Sequence, residues 1–193
     1  MVTYMGKEFS LCQGVYAEGT EGLKSSYRLL EQGAEGLLSA DAIADCARGF
    51  IKMIAEPVFF FLELPEDMEG DGKYSLYYLD NCTKAVAEAI MKRYGELLVN
   101  DGAARFGFGS NKTDEEIYFT DYQEFSIYTK RTAAMEKLLA SVGAVKTDKP
   151  DSIWELLSEE NQGSLSVVEI EGETVFDIPD NLKQAGMYKA ESV

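Results

Sequence analysis

The chain has 193 residues, with 34 acidic against 18 basic side chains, three cysteines, no histidine and a formal net charge of −16. Without histidine there is no Ser-His-Asp triad, no Cys-His dyad and no imidazole metal ligand. So acidic a chain lacks the basic face that would neutralise nucleic-acid phosphates, while a hydrophobic share of 46% suits an ordinary globular domain.

Residues 7–17 read as a strand or short hairpin, with Phe9 and Leu11 on one face and Gly14 as a break. Residues 18–38 are punctuated by glycine, and a short helix through Tyr27–Leu30 fits them. An amphipathic helix follows over Asp41–Ala55. Ile43, Cys46, Ala47, Phe50, Ile51 and Ile54 form its stripe, Ser39 or Asp41 caps it and Pro57 ends it. The aromatic run 57–64 reads as a buried strand. With the acidic loop 66–72 and the strand 73–80 it makes a hairpin.

A second helix spans Thr83–Val99, capped by Asp80 or Asn81, with Val86, Ala89, Ile90, Tyr94, Leu97 and Leu98 along one face. Segments 104–109, 115–121 and 124–130 alternate Phe106/Phe108, Ile117/Phe119 and Phe125/Ile127 with polar residues, which is the pattern of an antiparallel meander with one face covered. A third helix is expected over Thr132–Val142. Ser152 and Glu155 match a capping box that opens a turn holding Trp154. Segments 165–170 and 174–178 read as a last hairpin, with Asp180 capping a final turn near Gly186. Strands cluster as hairpins, so the expected fold is α+β: one domain over 1–193, an antiparallel sheet with helices mainly on one face. Residues 151–193 form an acidic subregion, with ten acidic residues against two basic ones.

The start of the chain shows no signal-peptide pattern, and the three cysteines form no C-x-x-C pair. A cytosolic protein is expected, with no membrane association.

Motifs of chemistry are few. Asp67, Glu69, Asp71 and Gly72 echo a calcium loop, but the position of its bidentate glutamate falls on Tyr78. Gly107 to Thr113 suggests a phosphate loop, but Asn111 stands where the Walker pattern needs glycine. Cys82, at a helix start beside Lys84, is a candidate thiolate, though no histidine serves as its base. The carboxylates Asp80, Asp114, Glu115, Glu116, Asp121, Glu159 and Glu160 suit a Mg²⁺-dependent hydrolase by type, but no spacing singles out a pair. No cofactor and no metal site is expected.

The eleven tyrosines carry more. Tyr118 and Tyr128 lie opposite the apolar positions of their strands, and tyrosine among acids on a sheet face suits protein binding. The expected contact residues are Glu66, Asp67, Glu69, Asp71, Tyr118, Tyr128, Glu159 and Glu160, set against a basic protein partner.

The segments PVFFFLELP, YYLDNCTKAVAEAIMKRYGELLVNDG and FGFGSNKTDEEIYFTDYQEFSIYT resemble uncharacterised single-domain bacterial proteins, a general kind in which some small acidic members are immunity proteins that bind a toxin. The resemblance covers residues 57–130 and implies a binding protein that neutralises a toxin. It carries no catalytic motif and no functional residue.

Overall fold

The computed structural model of the chain describes residues 8–67 and 72–190. In order, its elements are β1 (Val15–Tyr16), β2 (Ser26–Leu30), β3 (Gly33–Leu37), α1 (Ala40–Met53), β4 (Val58–Pro65), β5 (Tyr74–Cys82), α2 (Lys84–Asn100), β6 (Arg105–Ser110), β7 (Glu115–Phe119), β8 (Glu124–Tyr128), α3 (Thr132–Ser141), β9 (Val145–Lys146), β10 (Ser164–Leu165), α4 (Ile178–Leu182) and β11 (Tyr188–Lys189). The fold is α+β. Nine strands form one sheet in the order β11-β5-β4-β6-β7-β8-β3-β2-β9, and β1 and β10 pair separately. All neighbours in the large sheet run antiparallel except β2 and β9. Among the described residues no helix is long and apolar enough to cross a membrane.

Period-2 alternation divides the sheet into two faces. Phe60, Leu62 and Leu64 of β4, Phe106 and Phe108 of β6, Ile117 and Phe119 of β7, and Phe125 and Ile127 of β8 all enter the hydrophobic core. There they meet Ile43, Cys46, Phe50 and Ile51 of α1, Ile90, Met91 and Leu98 of α2, Met135 and Leu139 of α3, and Ile178 of α4. All four helices thus bury their apolar sides in the same layer; among the described residues no α-helix packs on the opposite face, and the segment 149–155 runs along its β8–β3–β2 end.

The structure corrects several local expectations. Tyr27–Leu30 is strand, not helix: Tyr27 is buried while Arg28 is exposed, and Gly33 at φ 129° lets the chain turn back into β3. The buried stripe of α2 contains Ala87 and Met91, while Val86 and Ala89 face out, and Thr83 rather than Asp80 or Asn81 caps the helix, its Oγ1 accepting from the Val86 N–H. The expected hairpin at 165–178 is reduced to its turn, where Ile170 and Glu173 exchange both backbone hydrogen bonds around Glu171-Gly172. Leu165 pairs with Val15 instead, and Thr174 and Asp177 make a capping box that starts a helical turn. Asp180 lies inside α4, and Ser152 donates to Glu124 Oε1 at 2.6 Å rather than capping a helix.

Two buried side chains tie loops to this framework. Asp101 accepts from the N–H groups of Ala103, Ala104 and Val168 at 2.8–2.9 Å, fixing the C-terminal segment to the end of α2. Gln123 accepts from the Cys12 N–H and donates to the Leu38 and Ser10 carbonyls, pinning the N-terminal segment. Every polar atom of that buried amide is used.

Candidate functional site

The helix-free face of the sheet is aromatic. Cross-strand register places Tyr188, Tyr78, Phe61, Gly107, Tyr118, Ser126, Glu35 and Arg28 in one row over eight strands. The rings touch along it. Centroids lie 6.3 Å apart for Tyr78 and Tyr188, 6.1 Å for Phe61 and Tyr78, and 5.3 Å for Phe61 and Tyr118. Phe59 joins from the next row, 6.2 Å from both Phe61 and Tyr78.

Two glycines make the row possible. Phe61 lies over Gly107 and Phe59 over Gly109, where a Cβ would come within 2.4 Å and 2.3 Å of the respective ring. The rings therefore cover strand backbone rather than packing under a helix. Phe59 and Phe61 are 9% and 5% exposed without belonging to the core cluster. Reading 57–64 as a strand buried in the core is thus correct for one face only: Phe60 and Leu62 go to the core, while Phe59, Phe61 and Glu63 form the other surface.

Carboxylates surround the rings. Glu63, across from Arg105, accepts from Tyr118 Oη at 2.6 Å. Asp80 accepts from Tyr188 Oη. Glu116 stands opposite Gly109 and Tyr128. The two arginines of the face are already engaged. Arg105 makes two 2.7 Å hydrogen bonds to Asp121, lies 3.7 Å from Glu63 and covers the Tyr74 ring at 3.9 Å. Arg28 pairs with Glu35.

The ionisation of the face follows this imbalance. Burial, then the hydrogen bond to Glu63 and its charge, push the Tyr118 phenol up, so it stays a donor. Tyr78 is pushed up by burial and then by Glu116, Asp80 and Glu63. Burial and repulsion by Glu63 raise the Glu116 carboxyl. In each case burial is the larger cause and the neighbouring carboxylates add to it.

The expected contact residues are only partly brought together. Tyr118 sits in the centre of the aromatic row. Tyr128 is on the same face at the end of β8, 45% exposed, with Oη on Gln32 Oε1 at 2.6 Å. Glu66 and Asp67 lie at the turn end of the β4–β5 hairpin, where Glu66 accepts from Ser75 and faces Lys189 at 3.8 Å. Glu69 and Asp71 lie outside the described residues. Glu159 and Glu160 are exposed on a loop of the C-terminal segment, apart from the row.

The other candidates take structural roles. Cys82 is buried, donates to the Leu79 carbonyl at 3.5 Å, and is raised by burial and Asp80, contrary to an activated thiolate. Glu115 is buried and held by both Arg131 nitrogens and Thr129 at 2.7–2.9 Å. The Gly107–Thr113 stretch is the end of β6 and a turn that leads into β7, so no helix follows it. Among the described residues no group of three or more Cys, Asp or Glu is placed to hold a metal ion.

This face is also grooved. A groove of about 510 Å³ runs past Tyr118, Glu124 and Ser126 to the strap of residues 149–152. A hollow of about 230 Å³ lies between Phe59, Glu116 and Tyr128.

Sequence reasoning missed Phe59, Phe61, Glu63 and Arg105. The available signal was the alternation of Gly107 and Gly109 with Phe106 and Phe108: glycine at every second strand position leaves room for a neighbour's ring. Comparison with protein-family models, with curated proteins and with solved structures gives no significant match to this chain.

Proposed function

We propose that the chain is a non-enzymatic protein-binding domain of the cytosol whose helix-free sheet face engages a basic protein, an immunity or inhibitor protein being its most concrete form. The observation that carries this reading is the row Tyr188–Tyr78–Phe61–Tyr118, on a face without helices and bordered by Glu63, Asp80 and Glu116. Aromatic side chains supply large contact area at low entropic cost, and they dominate the centres of interfaces. The carboxylates are already folded into place, so pairing with lysine or arginine demands little reorganisation. Complementary charge raises the association rate and fixes the docking orientation. Blocking a basic cleft of the partner is the inhibitory act, and it needs no chemistry from this chain.

The test is capture from the native host with the wild-type chain and with Tyr78→Ala/Tyr118→Ala, followed by affinity measurement with the captured protein. The expected result is a basic partner retained by the wild type, lost by the variant, and bound more weakly as salt rises. A partner indifferent to both the tyrosines and ionic strength refutes the reading.

A further inference from the structure

We propose that Trp154, the single tryptophan of the chain, anchors a second contact surface that takes a lysine- or arginine-rich segment of a protein partner. It stands on residues outside the aromatic row.

Trp154 is 48% exposed. It is not loose. Its ring meets Tyr122 edge to face, with centroids 4.6 Å apart and planes at 71°. Tyr122 is 5% exposed, and it and Gln123 both take left-handed backbone conformations, at φ 55° and 63°. Such conformations cost about 1–3 kcal/mol each and persist only where the surroundings impose them. Here the Gln123 amide, spent on Cys12, Leu38 and Ser10, imposes them. On the other side Ile153 is fully buried. The indole is therefore presented on a rigid base, as in a preorganised anchor.

Its surroundings choose the occupant. Gly163 leaves room for the Leu157 side chain, the Tyr122 hydroxyl under the indole and the Tyr16 backbone carbonyl. Glu159 and Glu160 stand in the middle of a turn closed by Ser158 N–H to the Asn161 carbonyl at 2.8 Å. Asn161 in turn holds the Glu18 backbone from both sides, at 3.1 Å. Glu155 flanks the indole and pairs with Lys149 at 3.1 Å. An exposed indole on a segment that also exposes Glu155, Glu159 and Glu160 matches a chain with cationic heads on apolar stems. A second copy of the chain would set like charges against each other, and an anionic membrane would be repelled in the same way.

Because the chain has one tryptophan, its emission reports on this surface alone. The probe is a capped synthetic peptide alternating lysine and leucine, with a glutamate-for-lysine peptide as control. The expected result is a saturable emission change with the lysine peptide and none with the control. The triple variant Glu155→Gln/Glu159→Gln/Glu160→Gln weakens it at least about tenfold. Trp154→Ala removes from the calorimetric isotherm the binding event that the emission reports and leaves any sheet-face event in place, with an unchanged circular dichroism spectrum. Tyr118→Phe on the sheet face leaves the emission titration unchanged. Calorimetric binding with silent emission overturns this inference while leaving the sheet-face reading intact. An affinity indifferent to the triple variant overturns it too, as does emission that follows chain concentration alone or responds to anionic vesicles instead.

Discussion

Phe60 and Phe61 are adjacent on β4 and point to opposite faces, so paired substitutions test whether one face is open. Phe60 is 1% exposed and stacks on Phe108 at 5.1 Å inside the core. Phe60→Ala leaves a cavity that the surrounding helices close only in part, at a cost of about 4 kcal/mol. Phe61 is 5% exposed, but its neighbours are Gly107 and two tyrosine rings. Water fills the space it leaves, so Phe61→Ala loses the transfer term of about 2 kcal/mol and at most about 1 kcal/mol of ring contact. Threonine separates the two positions further. At residue 60 it buries a hydroxyl without a partner, adding about 1–3 kcal/mol. At residue 61 it sits on a solvated strand face that suits a β-branched side chain, and it costs no more than alanine. The assay is urea denaturation of the four variants, with the slopes compared to confirm that the same surface unfolds. If Phe61→Thr proves as damaging as Phe60→Thr, the second face is covered and the account of the site fails.

Gly107→Ala is expected to cost about 1–3 kcal/mol in the same assay, since its Cβ would meet Phe61 Cζ at 2.4 Å and the Ile117 carbonyl at 2.2 Å; unchanged stability contradicts the ring-over-glycine packing. Burial raises the Glu115 carboxyl, but its hydrogen bonds to Arg131, Thr113 and Thr129 outweigh this and leave it lowered. A lowered acid stabilises the fold above its unfolded value of about 4.3 and loses that contribution as pH falls through its folded one. Glu115→Gln is therefore expected to cost about 2 kcal/mol at neutral pH and to flatten the acid limb of the stability profile; a profile with the wild-type slope contradicts it. Cys12 and Cys46, pushed by burial to about 12, and Cys82, raised by burial and Asp80, are expected to ignore a thiol reagent at mildly alkaline pH until the chain is unfolded. Rapid labelling of Cys82 in the folded protein contradicts that environment.

The sequence carried those parts of the fold whose signals are local. The stripe from Ile43 to Ile54 specifies α1. The hairpin β4–β5 and the meander β6–β7–β8 follow from apolar runs and alternation broken by turn residues. The strands β9, β10 and β11 have two residues each, and partners far along the chain make them: β2, β1 and β5. No pattern of two residues announces such a pairing. The site divides in the same way. Alternation pointed Tyr118 and Tyr128 outward, but Phe59, Phe60 and Phe61 form an unbroken apolar run whose two faces a sequence does not separate. Which acids matter is also a tertiary property. Glu63 and Glu116 gather at the rings through strand register, whereas Glu115, next in sequence to Glu116, turns inward to Arg131.

The most direct measurement is an amide chemical-shift map of the chain titrated with a lysine- and arginine-rich polypeptide at low and high salt. The account expects one set of shifts centred on Phe61, Tyr78, Glu116 and Tyr118 and a second around Trp154, both fading as salt screens the carboxylates. Shifts centred on the outer side of α2, around Val86 and Ala89, or shifts at the sheet face that ignore salt, would contradict it.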